Sequence, residues 1–88
     1  MVYVDDMEKS YQGMKMSHMI ADSHSELVEM AEKIGLDKRH IQNEGTWKEH
    51  FYVCKKFKYN AIKEGAVEIG KRELKKMLNE RDYEIYDR

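Results

Sequence analysis

The chain has 88 residues, of which 41% are hydrophobic and 38% are charged, so it has room for one folded domain and no more. Its 16 basic and 17 acidic residues give a net charge of −1, which excludes a general coat for nucleic acid. A domain this small buries only about 60 to 65% of its unfolded surface. We therefore expect a ligand or a second copy in a homo-oligomer to add to its stability.

Cysteine usage predicts the compartment. Cys54 is the single cysteine and has no intramolecular disulfide partner, which favours a reducing environment. The sequence has no apolar run of the length of a signal peptide or a spanning helix. We therefore predict a cytoplasmic protein with no membrane partner. The histidine spacings match no zinc pattern, and we predict neither a metal nor a cofactor.

The first third of the chain predicts two strands separated by a loop. Residues 2–4 form a short apolar run that ends at Asp5 and Asp6, and the polar stretch up to Gly13 is typical of a loop. Residues 14–21 then alternate as a strand covered on both faces does. One face carries Met14, Met16, His18 and Ile20, and the other carries Met19 and Ala21.

A capping box predicts the first helix. Ser23 and Glu26 have the spacing at which a serine hydroxyl accepts the backbone N–H three residues on. The apolar stripe that follows consists of Leu27, Met30, Ala31 and Ile34. Gly35 supplies the left-handed residue that ends such a helix.

The middle of the chain alternates between polar turns and a strand. Residues 39–42 are a candidate short strand, and residues 46–49 fit either a second capping box or the start of a strand. Residues 50–54 alternate, with Phe51 and Val53 on one face and His50, Tyr52 and Cys54 on the other.

The last third predicts a helix, a strand and a helix. Residues 55–64 are predicted to form a helix that places Phe57 and Ala61 inward and ends at Gly65. Val67 and Ile69 mark a strand that ends at Gly70. A final helix carries Leu74, Met77 and Leu78. We predict one α/β domain over residues 1–81, a small single sheet of about four short strands with two or three helices on it. Residues 82–88 are predicted to be a frayed or edge-pairing tail.

Charge is unevenly distributed, which points to an anion site. Residues 1–34 carry 3 basic and 7 acidic side chains, whereas residues 35–63 carry 7 basic and 3 acidic ones. Lys55 and Lys56 oppose the dipole at the start of a predicted helix, by roughly 0.3 to 1 kcal/mol each. A bound anion would reverse that sign, and His50 and Tyr52 precede the two lysines. The alternative is that the lysines form a solvated face.

Three polar positions in the first third have both a functional and a structural interpretation. Asp5 and Asp6 follow a strand, where they could hold a cation or accept from ribose, but such residues also make turns and helix caps. His18 lies on an otherwise apolar face of its strand and requires a hydrogen-bond partner, for which Asp22 is the predicted carboxylate. The alternative is a core histidine whose hydrogen bonds are satisfied within the protein.

A Cys54 nucleophile activated by His50 is a weaker possibility.

The chain resembles the uncharacterised bacterial and phage family called domain of unknown function 4031, over residues 2–69. The residues that carry the resemblance are Val2 to Met7, Ser17 to Asp22, Glu26-Leu27, Ala31, Ile34 to Leu36, Gln42, His50 to Tyr52, and Ala61 to Glu68. The family pattern has a His-Tyr-Asp run where this chain has no Asp, and Lys55-Lys56 replaces a Ser-Lys-Arg type run. The resemblance implies one shared site at Tyr3, Asp5, Asp6, His18, Asp22, Gln42, His50 and Lys56, without a reaction.

The favoured hypothesis is a phage-type protein that binds a phosphorylated small molecule, a nucleotide above all, without necessarily turning it over. Lys55, Lys56 and the start of their helix would hold phosphate, and Tyr3, Tyr52 or Trp47 would stack on the ring. The sugar or base would be read by Asp5, Asp6, Gln42 and His18. If the protein is phage-encoded, it would act in the host cytoplasm and could sequester a nucleotide defence signal. One alternative is a metal-dependent phosphodiesterase or nuclease, in which Lys56 steadies the transition-state charge. Its divalent ion would be held by Asp5, Asp6, Asp22 and either His18 or His50. Another is an interaction module that inhibits a host enzyme through a patch around Trp47, Phe51 and Tyr83.

Overall fold

A computed structural model describes residues 1–11 and 13–80, so the predicted tail at residues 82–88 lies outside the described residues. The described elements, in chain order, are β1 Val2–Asp5, β2 Lys9–Tyr11, β3 Met14–Ala21, α1 His24–Ile34, a 3-10 turn Lys38–His40, β4 Phe51–Cys54, α2 Lys55–Lys63, β5 Val67–Ile69 and α3 Lys71–Asn79. From β3 onward strands and helices alternate, and the α/β class predicted from sequence is confirmed.

β3 is the centre of a mixed sheet. β4 pairs antiparallel with one edge of β3, and β1 and β2 pair antiparallel with successive parts of the other edge. β5 lies outside β1 and parallel to it. Because β1, β4 and β5 all run opposite to β3, their carboxyl ends meet at one edge of the sheet.

The described sheet has five strands rather than about four. The additional strand is β2, which lies in the stretch predicted to be a loop. Its residues Lys9 and Ser10 are exposed and polar, so no hydrophobic alternation marks them as a strand. Pairing of Lys9 with Met16 and of Ser10 with Lys15 determines its conformation instead.

One face of the sheet forms the core under α1 and α2. The buried cluster contains Val2, Val4, Met19, Ala21, Leu27, Met30, Ala31, Ile34, Leu36, Phe51, Val53, Ala61 and Ala66. The predicted alternation of β3 and β4 is therefore confirmed. The capping box is confirmed too, because the Ser23 Oγ accepts the N–H of Glu26 at 3.3 Å and Gly35 has a left-handed φ of 80°.

The second face is only partly covered. Ile20 and Leu74 are buried but do not belong to the main cluster, and α3 contacts β1. α3 therefore covers the β1 side of this face and leaves the β3–β4 side, which we call the open face, accessible. Tyr52 on β4 is 42% exposed there.

Two predictions for the middle of the chain are wrong. Residues 39–42 do not form a strand, because Lys38–His40 is a 3-10 turn capped by Asp37. Residues 46–49 are neither a helical turn nor a strand. They belong to a run of tight turns in which Thr46 bonds Asn43 and Glu49 bonds Thr46. A left-handed Asn43 and Gly45, at φ 55° and 78°, make this reversal.

Candidate functional site

Three neighbouring strands place Asp5, His18 and Tyr52 side by side on the open face. Tyr52 of β4 is the direct partner of His18 in β3. On the other edge Val4 pairs with Met19, so Asp5 follows opposite His18. We call these three residues the polar row. Since residues opposite each other in register share a face, the row follows from strand pairing alone.

The buried carboxylate of Asp5 hydrogen-bonds both the ring and the backbone of His18. This carboxylate is fully buried, and Oδ2 lies 2.7 Å from Nδ1 of His18. Oδ1 accepts the backbone N–H of His18 at 2.9 Å and that of Met7 at 3.2 Å. An ionised carboxylate only accepts, so the ring carries a hydrogen on Nδ1 and turns Nε2 away from Asp5. The His18 side chain is 25% exposed.

An aromatic cluster surrounds His18. The ring centroids of His18 and Tyr52 are 5.0 Å apart, those of His50 and Tyr52 5.1 Å, and those of the two histidines 5.5 Å. His50 donates from Nδ1 to the carbonyl of Lys48 at 2.6 Å, and its Nε2 is buried. His18 and Tyr52 are therefore the members of the cluster that present polar atoms outward.

Gln42 joins this cluster through the backbone. Its N–H donates to the carbonyl of His50 at 2.8 Å and its carbonyl accepts the N–H of His50 at 3.1 Å, in a single bridge just before the start of β4. The side chain is exposed, and its Nε2 donates to the carbonyl of His40 at 3.3 Å. Gln42 thus lies beside His50, as the resemblance implied.

A groove of about 560 Å³ lies next to the polar row. It is lined by Met7, Lys9, Met14, Met16, Leu36, His40, Gln42, Tyr52, Cys54 and Phe57. We call it the open-face groove, because register places Lys9, Met16 and Cys54 on the face of His18. None of the described lining residues is acidic, whereas Lys9 and His40 are basic. The lining is apolar and weakly positive, and Tyr52 belongs to both groove and row.

The two predicted phosphate lysines flank the row without touching it. Lys55 and Lys56 are exposed at the start of α2, where the Cys54 side chain provides no cap. Lys55 Nζ lies 4.0 Å from Glu8 Oε1. Three extended residues span about 10 Å, so Lys55 lies roughly that far along the chain from Tyr52.

Asp6 caps a helix, which is the structural one of its two predicted roles. Its Oδ1 accepts the backbone N–H of Lys71 at 2.9 Å, at the start of α3. It therefore caps a helix whose own cap residue, Gly70, has no side chain for this.

The predicted pairing of Asp22 with His18 is wrong. Asp22 lies at the far end of β3, where its Oδ2 accepts from the Tyr3 hydroxyl at 3.4 Å and lies 3.4 Å from the amino group of Met1. Partial burial, together with the Asp22 charge, raises the pKa of Tyr3. Tyr3 and Asp22 thus form a pair of their own, and Asp5 takes the place beside His18.

A second histidine–carboxylate pair was missed from the sequence. Glu49 is fully buried, and its Oε1 lies 2.5 Å from Nδ1 of His24, the first residue of α1. The same oxygen accepts the N–H of Gly45 at 3.2 Å. The two residues are 25 positions apart, and no local pattern links them. The pair ties the turns before β4 to the start of α1.

The proposed Cys54–His50 nucleophile is not supported by the strand geometry. The residues are four positions apart along an extended segment, or about 13 Å, which is too far for a hydrogen bond. Over residues 1–11 and 13–80, no group of three or more His, Cys, Asp or Glu side chains is placed to hold a metal ion. The predicted interaction patch is not formed as described, because Phe51 is buried; Tyr83 lies outside the described residues.

Comparisons with known proteins identify the chain at the level of a family. No helix in the described part of the chain has both the length and the apolar character needed to cross a membrane. Neither curated proteins nor solved structures give a match. The family model described as "Protein of unknown function (DUF4031)" matches residues 2–81. The chain therefore belongs to the DUF4031 family, as its YVDD and SHMIAD segments indicated.

Proposed function

We propose that this domain binds a phosphorylated small molecule, with a nucleotide as the first candidate, at the polar row and the open-face groove. The observation that carries the proposal is the Asp5–His18 pair, whose partly exposed ring lies against Tyr52 at the border of a groove without acidic lining. A buried carboxylate that orients a histidine is a common device of binding and catalytic sites.

The phosphate is expected at His18. Asp5 accepts from Nδ1, so Nε2 of His18 faces the ligand and, when it carries a proton, donates to an anionic oxygen. Lys9 lines the adjacent groove, while Lys55 and Lys56 add positive charge at the same edge of the sheet. The lysines thus attract the anion, and His18 positions it.

A planar ring is expected along Tyr52 and the groove. Tyr52 is 42% exposed, and three methionines line the groove next to it. Aromatic faces and thioethers both pack well against a nucleobase. The volume of about 560 Å³ lies within the range of roughly 300 to 1,000 Å³ usual for small-molecule sites. The exposed Gln42 amide is available to bond the edge of the base.

Calorimetric titration with linear, cyclic and ADP-ribose-type nucleotides, nucleosides and inorganic phosphate tests the proposal. His18→Asn keeps a donor near the position of Nδ1 and removes Nε2, so we expect binding to weaken by about tenfold to a hundredfold. His24→Asn makes the same change in the other pair and should bind like wild type. Absence of nucleotide binding by wild type, or equal losses in both variants, would contradict the proposal.

Acid–base cleavage of a phosphodiester is the second candidate, and the same Asp5–His18 pair favours it. A histidine oriented by a buried carboxylate is an effective general base. The predicted metal-dependent form has less support, since Asp6 caps α3 and Asp22 pairs with Tyr3. Product formation from cyclic and linear diesters, with Mn²⁺ or with EDTA, distinguishes the forms. Turnover lost in His18→Asn and kept in EDTA would favour metal-free chemistry over simple binding.

The biological role remains a prediction. Sequestration of a host defence nucleotide in the cytoplasm requires tight binding and no turnover, and calorimetry measures the first of these. Inhibition of a host enzyme predicts a protein partner and no small-molecule ligand. Sedimentation with and without nucleotide tests the predicted homo-oligomer.

A further inference from the structure

Four sulfur-bearing side chains converge on the open-face groove. Met7, Met14, Met16 and Cys54 all line it. Met16 and Cys54 are direct partners across the β3–β4 ladder, and Met14 lies two residues further along the same face of β3. Directly opposed side chains have Cβ atoms about 4.5 to 5.5 Å apart. The Met16 and Cys54 sulfurs can therefore approach one ion together.

These methionines do not serve the main core. Met14 is 50% exposed, and Met16 and Met7 are half-buried. Met19 and Met30, by contrast, are buried on the opposite face with α1. Partly exposed thioethers beside a half-buried thiol thus form a feature that the packing of the domain does not require.

We propose that the Met7, Met14, Met16 and Cys54 side chains bind one soft monovalent metal ion, Cu(I). Thiolate and thioether sulfurs are the ligands that select Cu(I) over harder ions. Cys54 binds as the thiolate and releases its proton, and the methionines complete the coordination without any change of charge or oxidation state. The long, unbranched methionine side chains adjust to an ion without movement of the sheet.

The copper site can be tested separately from the proposed nucleotide function. Its sulfurs line the same groove as the proposed base position, but it uses no atom of Asp5 or His18. The described residues contain no group of three or more His, Cys, Asp or Glu side chains that could hold a metal ion. Methionine thioethers are not among those ligand types, so the sulfur site is compatible with that absence.

Anaerobic competition of the reduced protein with bicinchoninate for Cu(I) tests the proposal. We expect one ion per chain, lost in Cys54→Ser and held at least tenfold more weakly by the double variant Met14→Leu/Met16→Leu. Met30→Leu, in the core on the opposite face, is the matched control and should bind like wild type. His18→Asn should also bind Cu(I) like wild type, because it alters only the polar row.

A second measurement locates the ion. In protein labelled with ¹³C at the methionine methyl groups, Cu(I) should shift the signals of Met7, Met14 and Met16 and leave those of Met19 and Met30 unchanged. The proposal is overturned if wild type does not compete with the chelator. It is also overturned if the Met14→Leu/Met16→Leu variant binds as wild type does, because the thiol alone would then hold the ion.

Discussion

The domain contains two histidine–carboxylate pairs with nearly the same local geometry. Asp5 and Glu49 are both fully buried, their histidines are 25% and 28% exposed, and the N–O distances are 2.7 and 2.5 Å. The surroundings differ. His18 lies among aromatic rings at the border of a groove, whereas His24 begins α1 and faces the turns before β4.

The comparison shows that a buried carboxylate beside a histidine does not by itself mark a functional site. The His24–Glu49 pair connects two segments and thereby orders the turns that lead to His50. The Asp5–His18 pair lies within one ladder that strand pairing already holds, and it turns Nε2 of His18 away from Asp5, where a ligand can bind it. The neighbouring groove and the exposed rings, rather than the pair itself, distinguish a pair that can bind a ligand from a pair that only stabilises the fold.

Asp5→Ala is expected to have the largest effect. The fully buried Asp5 carboxylate accepts hydrogen bonds from two backbone N–H groups and from the His18 ring, and the substitution removes all three. We therefore expect the free energy of unfolding to fall by about 3 to 5 kcal/mol. Urea denaturation measures this loss. Total stability of small domains is only about 5 to 15 kcal/mol. A loss below about 1 kcal/mol would mean that water replaces the carboxylate.

His24→Ala is expected to have the next largest effect and to act on structure alone. Loss of the ring leaves Glu49 buried without its closest partner, at about 1 to 3 kcal/mol. Hydrogen exchange should accelerate at Gly45 and Thr46, with little change at His18. If His24→Ala instead abolishes nucleotide binding while the fold persists, the contrast between the two pairs is wrong.

Asp6→Ala tests whether the neighbour of Asp5 has any role beyond capping. Loss of the hydrogen bond to the Lys71 N–H should destabilise α3 by about 1 kcal/mol. Amide chemical shifts should change over Lys71 to Leu74, and nucleotide affinity should stay at the wild-type value. Reduced affinity with an intact α3 would restore Asp6 to the binding site.

The smallest effect concerns an exposed carboxylate with no part in either pair. Hydrogen bonds from the Arg39 side chain and backbone lower the pKa of Asp37 from 3.8 to about 2. The folded state favours the ionised form, so this contribution is present above about pH 4 and is lost as the pH falls towards 2. Carboxyl ¹³C titration should give the lowered midpoint. In Arg39→Ala the midpoint should return towards 3.8; an equally low value there would assign the shift to another group.

Elements with strong local signals were predictable. β3 and α1 have the bounds and faces that alternation, the Ser23 cap and Gly35 indicate. Candidate site residues were also recognisable, because His18 on an apolar strand face requires a partner and His50 and Tyr52 share a polar face. The sequence did not predict the strand Lys9–Tyr11 or the Gln42–His50 bridge, since the conformations of these segments depend on pairing rather than on their own side chains.

The partner of His18 shows where sequence reasoning stops. Asp22 is only four residues away in the chain, yet an extended strand carries it about 13 Å from His18. Asp5 is 13 residues away and lies directly opposite His18. Separation along the sequence was a poor guide to the partner of His18. Antiparallel pairing brings residues that are distant in sequence into contact, and an extended strand separates residues that are near in sequence.

By itself the sequence determined the α/β class, the apolar faces of β3, β4 and α1, the family, and most of the polar residues of interest. These depend on periodicity and capping, which act over a few residues. Only the tertiary structure decided that Asp5 rather than Asp22 holds His18, that Asp6 caps a helix, and that Glu49 is buried against His24. Each of these is a contact between separate elements, set by strand register and by the burial of charge, which no local pattern encodes.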